Sequence, residues 1–252
     1  MADKPPDDPQ ARIRDLARPN LPKRFYEDVT IAGREEGHVI LLDGRPLRTP
    51  KRHTVAVADA ALARALAEEW EEQSEFIDAS AMPITRLVNA GLDVVGAHRD
   101  GIVDQLAGYT DSDLLCYRAD RPETLVNRQQ ASWDPILRWA EDAFGMRFHL
   151  VEGLMPVDQP AGTRDKAAEL FAAADDLTLA GLHATTTLLG SAVLALAHWK
   201  GRLSTVDAWK AAHVDEDWNF ETWGEDHDAM LRRTRRWVEM KAAARVIGVS
   251  PT

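Results

Sequence analysis

Apolar and polar residues alternate early in the chain and recur at helical spacing later. From Arg24 to Val57 the pattern is strand-like: Tyr26, Val29 and Ile31 lead to His38-Val39-Ile40-Leu41-Leu42, then Asp43-Gly44, then Arg45-Pro46-Leu47. Asp-Gly between two such runs predicts a hairpin, because glycine accepts the positive φ of a tight turn. Asp59 then caps a predicted helix whose apolar face is Leu62, Leu66 and Trp70. Glu68, Glu69, Glu71 and Glu72 form its solvated face. Further helical stretches open at Met82-Pro83, running through Leu87 and Val94, and at Ile102 to Tyr109. Leu114-Leu115-Cys116-Tyr117 reads as a buried strand. Trp133, Ile136, Leu137, Ala140 and Phe144 repeat at helical spacing up to Gly145, a suitable stop. Pro135 is either in the first turn of that helix or at a kink in a longer one. Phe148 to Val151 returns as a strand.

Two prolines and a glycine in the nine residues from Leu154 to Gly162 mark a linker. Beyond it the pattern is helical, at Arg164–Ala174, Leu177–Trp199, Thr205–Val214 and Asp226–Val246. The expectation is an α+β fold in two domains behind a disordered lead at 1–21. Residues 22–155 form an α/β layered amino-terminal domain with an antiparallel hairpin, and 156–250 an all-helical carboxy-terminal one. The uncharged run Leu177–Trp199 is long enough to span a bilayer, yet it holds four Thr, two Gly, two His and a Ser. It reads better as a central helix buried on all sides, with no membrane insertion.

Charge and cysteine usage narrow the function. In 252 residues, 30 Lys+Arg face 41 Asp+Glu, a net charge of −11, which argues against binding along a nucleic-acid backbone. The single cysteine, Cys116, excludes an intramolecular disulfide and a multi-cysteine zinc site, an intracellular composition. The amino terminus has no apolar signal segment. The chain is read as a monomer.

Catalytic motifs are absent. There is no Gly-Lys dipeptide for a phosphate-binding loop, no GxGxxG, no GxSxG elbow around Ser191 and no HExxH. Asp215, Asp217 and Asn219 imitate the start of a calcium loop, but Phe220 stands where glycine is required. No cofactor, metal or catalytic residue is therefore assigned. The rival reading is a metal-assisted hydrolase using Asp111, Asp113, His213 and Glu216. Against it, carboxylates at a turn serve more often as caps, and a lone cysteine such as Cys116 in an apolar run is usually inert.

One stretch stands out by charge. From Ala211 to Leu231 there is no Lys or Arg, while Asp215, Glu216, Asp217, Glu221, Glu225, Asp226 and Asp228 supply seven acids. Trp218, Phe220 and Trp223 are interleaved, and Arg232, Arg233, Arg235 and Arg236 follow. Asp226 and Asp228 suit a helix start, and Asp228 pairs with Arg232 at i,i+4. Asp215-Glu216-Asp217 would crowd the carboxyl end of the preceding helix, where anions are unfavourable. An acidic surface beside aromatics suits an arginine-bearing protein partner.

A series of short segments then carries a resemblance. In order they are Lys23-Arg24-Phe25-Tyr26-Glu27-Asp28-Val29, Leu42 to Pro50 (LDGRPLRTP), Glu69-Trp70-Glu71-Glu72-Gln73 and Met82-Pro83-Ile84-Thr85. Tyr109 with Asp113 to Arg118, Arg128-Gln129 with Trp133-Asp134-Pro135, Asp215 to Trp218, and Trp223 to Asp226 complete them. Together they resemble the assembly chaperones of the F(1) sector of ATP synthase that act on the α subunit, over roughly residues 22 to 247. The resemblance implies a non-enzymatic, two-domain chaperone that binds the free α subunit, keeps it from aggregating and releases it to β. It also implies a bacterial cytoplasm, or a mitochondrial matrix in eukaryotic relatives. Glu216 is the position carried over as sensitive; Asp215, Asp217 and Trp223 are its expected companions in partner binding. Asn219 stands where the family usually has Gln, and Asp228 where it often has Glu, so neither is counted as a contact. Trp70 is expected to matter through the core.

Overall fold

The computed structural model describes residues 21–153, 155, 157–224 and 226–250. The predicted lead, residues 154 and 156 of the predicted linker, and Glu225 thus lie outside the described residues, apart from position 21.

The hairpin forms where the alternation placed it. β1 (Val29–Arg34) and β2 (Gly37–Leu42) run antiparallel, from Val29 opposite Leu42 to Arg34 opposite Gly37. Asp43 and Gly44, with φ of 47° and 74°, then turn the chain into β3 (Arg45–Pro46). Positive φ at both central residues matches the right-handed twist of the flanking strands. β4 (Ala56–Val57) pairs with the other end of β2 and completes a four-stranded sheet. Gly37 is required at that crossing, because a Cβ there would lie 2.7 Å from the Val57 carbonyl oxygen.

α1 (Ala60–Glu71) starts where Asp59 accepts the Ala61 N–H at 2.8 Å and lays Leu62 and Leu66 against the sheet. Trp70 is half-buried on the edge of that core rather than inside it. Glu69 departs from the expected solvated face. It is buried, and its carboxylate accepts the N–H of Ile84 at 2.7 Å and of Thr85 at 2.8 Å. Those amides open α2 (Pro83–Ala90), whose positive end favours a carboxylate. Burial outweighs these bonds and raises the Glu69 pKa. A π-helical turn at Gly91–Val95 leads into α3 (Gly96–Gly108).

The strand expected at 114–117 is mostly a turn. Asp113 is buried and its carboxylate accepts the Leu115 N–H at 3.1 Å, winding Leu114–Cys116 into a 3₁₀ turn. Only β5 (Tyr117–Arg118) is extended, pairing in parallel with β6 (Val151–Glu152). α4 (Glu123–Phe144) carries Pro135 in its interior and ends at Gly145, φ 68°. α5 (Thr163–Ala172) follows. The single helix expected at 177–199 is two, α6 (Asp176–Leu189) and α7 (Ala192–Trp199). Gly190, φ 66°, terminates the first, and Ser191 caps the second by accepting the Leu194 N–H at 3.0 Å. α8 (Thr205–Ala212), α9 (Val214–Trp223) and α10 (His227–Val246) complete the chain. Among the described residues no helix is long and apolar enough to cross a membrane.

Two apolar clusters hold this α+β arrangement. The smaller packs the sheet against α1 and α2 and takes in Ala242 and Val246 from α10. The larger gathers Leu106, Leu115, Trp133 and Ile136 with Phe171, Leu182, Leu194 and Trp209. All strands among the described residues precede residue 155, while both clusters draw on residues from either side of it. As a proposal about folding units, the division at 155–156 has the strand distribution in its favour and the apolar contacts against it.

Candidate partner-binding surface

The acidic run sits at the start of a helix, not the end of one. α8 stops at Ala212, His213 breaks the backbone with φ −117° and ψ 22°, and α9 begins at Val214. Asp215, Glu216 and Asp217 occupy the first turn of α9. Anions are favoured there by the helix dipole, so the electrostatic misfit expected from the sequence does not exist.

Nor is the face purely acidic once folded. α4 and α10 bring cations onto a stretch that has none in sequence. Gln129 Nε2 donates to Asp215 at 2.7 Å, and Arg128 grips Glu221 with two bonds of 2.9 and 2.7 Å. Arg233 pairs with Asp217 at 2.5 Å. Glu216 is exposed and more loosely held, with Arg236 at 3.8 Å, His213 Nε2 at 3.9 Å and Arg233 at 4.0 Å. The three arginines Arg232, Arg233 and Arg236 share a cleft of about 280 Å³ with Glu216, Asn219 and Phe220. Arg128 and Gln129 belong to this surface and were not expected there, although both stand in a segment that carries the family resemblance.

His213 is buried beneath it. Its Nδ1 donates to the Trp209 carbonyl at 2.7 Å, its Nε2 has no hydrogen-bond partner among the described residues, and burial lowers its pKa. Trp223, at the far end of α9, is 80% exposed, next to Gly224 with φ 91°.

The residues of the hydrolase reading have separate structural duties. Asp111 pairs with Arg164 at 2.8 Å. Asp113, fully buried, accepts the N–H of Leu115 and, at 3.2 Å, of Val193 at the start of α7. Burial raises its pKa to about 6 despite those bonds and one from Ser191. Burial, with the Asp113 charge nearby, likewise pushes the Cys116 thiol up to about 12, which leaves it unreactive. Among the described residues no group of three or more His, Cys, Asp or Glu could hold a metal ion. The geometry gives the hydrolase no support.

Comparison with known proteins adds the family. The model of the ATP12 chaperone protein family matches residues 23–141. The crystal structure of Atp12 from Paracoccus denitrificans is 36% identical, with TM-score 0.83, covering 90% of this chain and 97% of that one. A point mutant of the P. denitrificans protein gives the same figures, TM-score 0.83 and 36% identity. The Atu1473 protein of Agrobacterium tumefaciens, a putative chaperone by its description, is 43% identical with TM-score 0.84, covering 97% of this chain and 92% of that one. Shared fold and sequence over almost the whole length place this chain in the ATP12 chaperone family, the assembly chaperones of F(1) ATP synthase.

Proposed function

We propose that the client of this chaperone is the unassembled α subunit of F(1) ATP synthase, held without any catalysis in the cytoplasm of a bacterium and released to β. Membership of the family supports the client; the exposed Trp223 beside the α9 acids supports the surface. A ring subunit without its neighbour exposes a large apolar face, and such faces associate non-specifically. A chaperone must cover that face and let go of it. A charged rim around an aromatic anchor suits reversible binding, since rim charges tune association more than lifetime. With no nucleotide-binding motif in the sequence, competition by the β subunit is the natural route of release.

In this reading Glu216, Asp215, Asp217 and Trp223 contact the α subunit. Glu216, with its counter-ions 3.8 to 4.0 Å away, can turn to an incoming cation at little cost. The test is capture of purified α subunit, and suppression of its aggregation, by Glu216→Lys, Glu216→Ala and Trp223→Ala, each with its thermal melt. Reversal of the charge is expected to impair binding more than truncation does, at unchanged melting temperature. Wild-type protection by both Glu216 variants would leave the face a solvated surface only.

A further inference from the structure

We propose that a groove on the strand-bearing part of the protein is a second client contact, shaped for an extended segment in which apolar side chains are flanked by carboxylates. The client part of this rests on the reading just given; the chemistry of the groove does not. Three segments that are far apart in sequence and that each carry the family resemblance meet here: 23–29, 42–50 and 69–73. From them come Phe25 and Tyr26, Leu42 with Arg45 and Arg48, and Trp70, around a groove of about 720 Å³. All lie inside the stretch matched by the family model, residues 23–141, whereas α9 lies outside it.

The wall is aromatic. The Tyr26 ring stands 5.3 Å from that of Phe25 and 5.6 Å from that of Trp70, and Tyr26 is fixed by donating its hydroxyl to the Trp70 carbonyl at 2.7 Å. Phe25 is nevertheless 70% exposed. The Trp70 indole N–H is buried and has no acceptor among the described residues, which is costly to leave unmade. A single exposed aromatic is ordinary; an exposed aromatic on the lip of an apolar groove is a binding feature.

Charge selects the occupant. In a chain of net charge −11, this rim is basic. The Arg45 guanidinium is exposed and makes no hydrogen bond or ion pair among the described residues, with the Asp43 carboxylate only within longer electrostatic reach, and the exposed Arg48 guanidinium donates only to the Arg52 carbonyl, at 2.9 Å. Arg24, by contrast, is used up internally, on the carbonyls of Tyr26, Glu27, Glu71 and Gln73. The carboxylate of Asp43 at the same rim is engaged by the N–H of Glu27 and Asp28, at 3.0 and 2.9 Å. Two guanidinium groups with no carboxylate bonded to them, beside an aromatic wall, match an apolar side chain next to a carboxylate, and disfavour one next to a lysine.

The experiment titrates the isotope-labelled full chain with three acetylated eight-residue peptides, alternating Leu and Glu, Leu and Lys, or Ser and Glu. The Leu/Glu peptide is expected to shift the Trp70 indole and Phe25 amide resonances, and to bind about tenfold more tightly than the other two. Arg45→Glu with Arg48→Glu, both on the surface, should abolish that preference without moving the melt. No shift at these resonances, or equal binding of the three peptides, would overturn the groove. A parallel arm measures α-subunit capture by the wild type and the double arginine variant. Unchanged capture by the variant removes the groove as a client contact. Failure of the wild type to capture α sinks the α-subunit reading, while the peptide titration still decides the groove.

Discussion

The indole N–H of Trp133 donates to the carbonyl of Ala211 at 2.7 Å in the buried interior, across 78 residues of sequence. This bond ties α4 to the end of α8, directly before the turn that starts α9. Its loss strands a carbonyl where water does not reach. Trp133→Phe, which keeps most of the ring, is expected to cost about 1–3 kcal/mol, and Trp133→Ala about 3–5 kcal/mol with the added cavity. Denaturant unfolding of the two variants measures both.

The same relationship bears on folding units. A fragment of residues 22–155 would expose Trp133, Leu106 and Leu115 together, all buried in the larger cluster. It is expected to lack a cooperative melt and to aggregate, whereas the fragment joined to residues 156–250 melts as one unit. Calorimetry of the fragment and of the whole chain checks this. A sharp transition in the fragment would restore the division at 155–156.

Asp113 makes stability pH-dependent. Its folded carboxyl holds its proton up to about pH 6, against 3.8 for an ordinary aspartate. Between those values the native state binds more protons than the unfolded one, so stability falls as pH rises from about 4 to 6. At 1.36 kcal/mol per unit, the fall is roughly 3 kcal/mol. Urea midpoints across that range should show the decline, and Asp113→Asn should flatten it. The same variant should be less stable at the acid end by about 1–3 kcal/mol, because its amide faces an N–H where the carboxyl accepted one.

Glu69 gives a cleaner test of a buried cap. Its two oxygens take two backbone amides of α2, at 2.7 and 2.8 Å. Glu69→Gln has one acceptor oxygen for those two donors, and is expected to lose about 1–3 kcal/mol. Glu68→Gln, one position away and exposed, should stay within about 0.5 kcal/mol of wild type. Equal effects would mean that Glu69 is solvated in solution.

Trp223 should separate binding from stability. With 80% of its surface exposed, it contributes little to the core. Trp223→Ala is expected to melt within about 0.5 kcal/mol of wild type while losing client capture. A strongly lowered melting temperature would show it to be packed.

Period and punctuation along the chain were enough for the local elements. Asp43-Gly44 specified the hairpin, Asp59 the start of α1, and Gly145 the end of α4, because each acts on the backbone within a few residues of itself. The short segments from Lys23 to Asp226 were likewise enough for the family. Charge along the chain misled at α9, where sequence order put Asp215, Glu216 and Asp217 behind one helix, and His213 placed them at the front of another. Pattern also hid the break at Gly190-Ser191, since an apolar run looks the same on both sides of a cap. What only the tertiary structure decided was partnership. Glu69 became a buried cap because α2 returned to it, Arg128 reached Glu221 across 93 residues, and Phe25, Arg45 and Trp70 came to share one groove. Hydrogen bonding and burial depend on distance in space, and no period in a linear sequence encodes which distant residue arrives there.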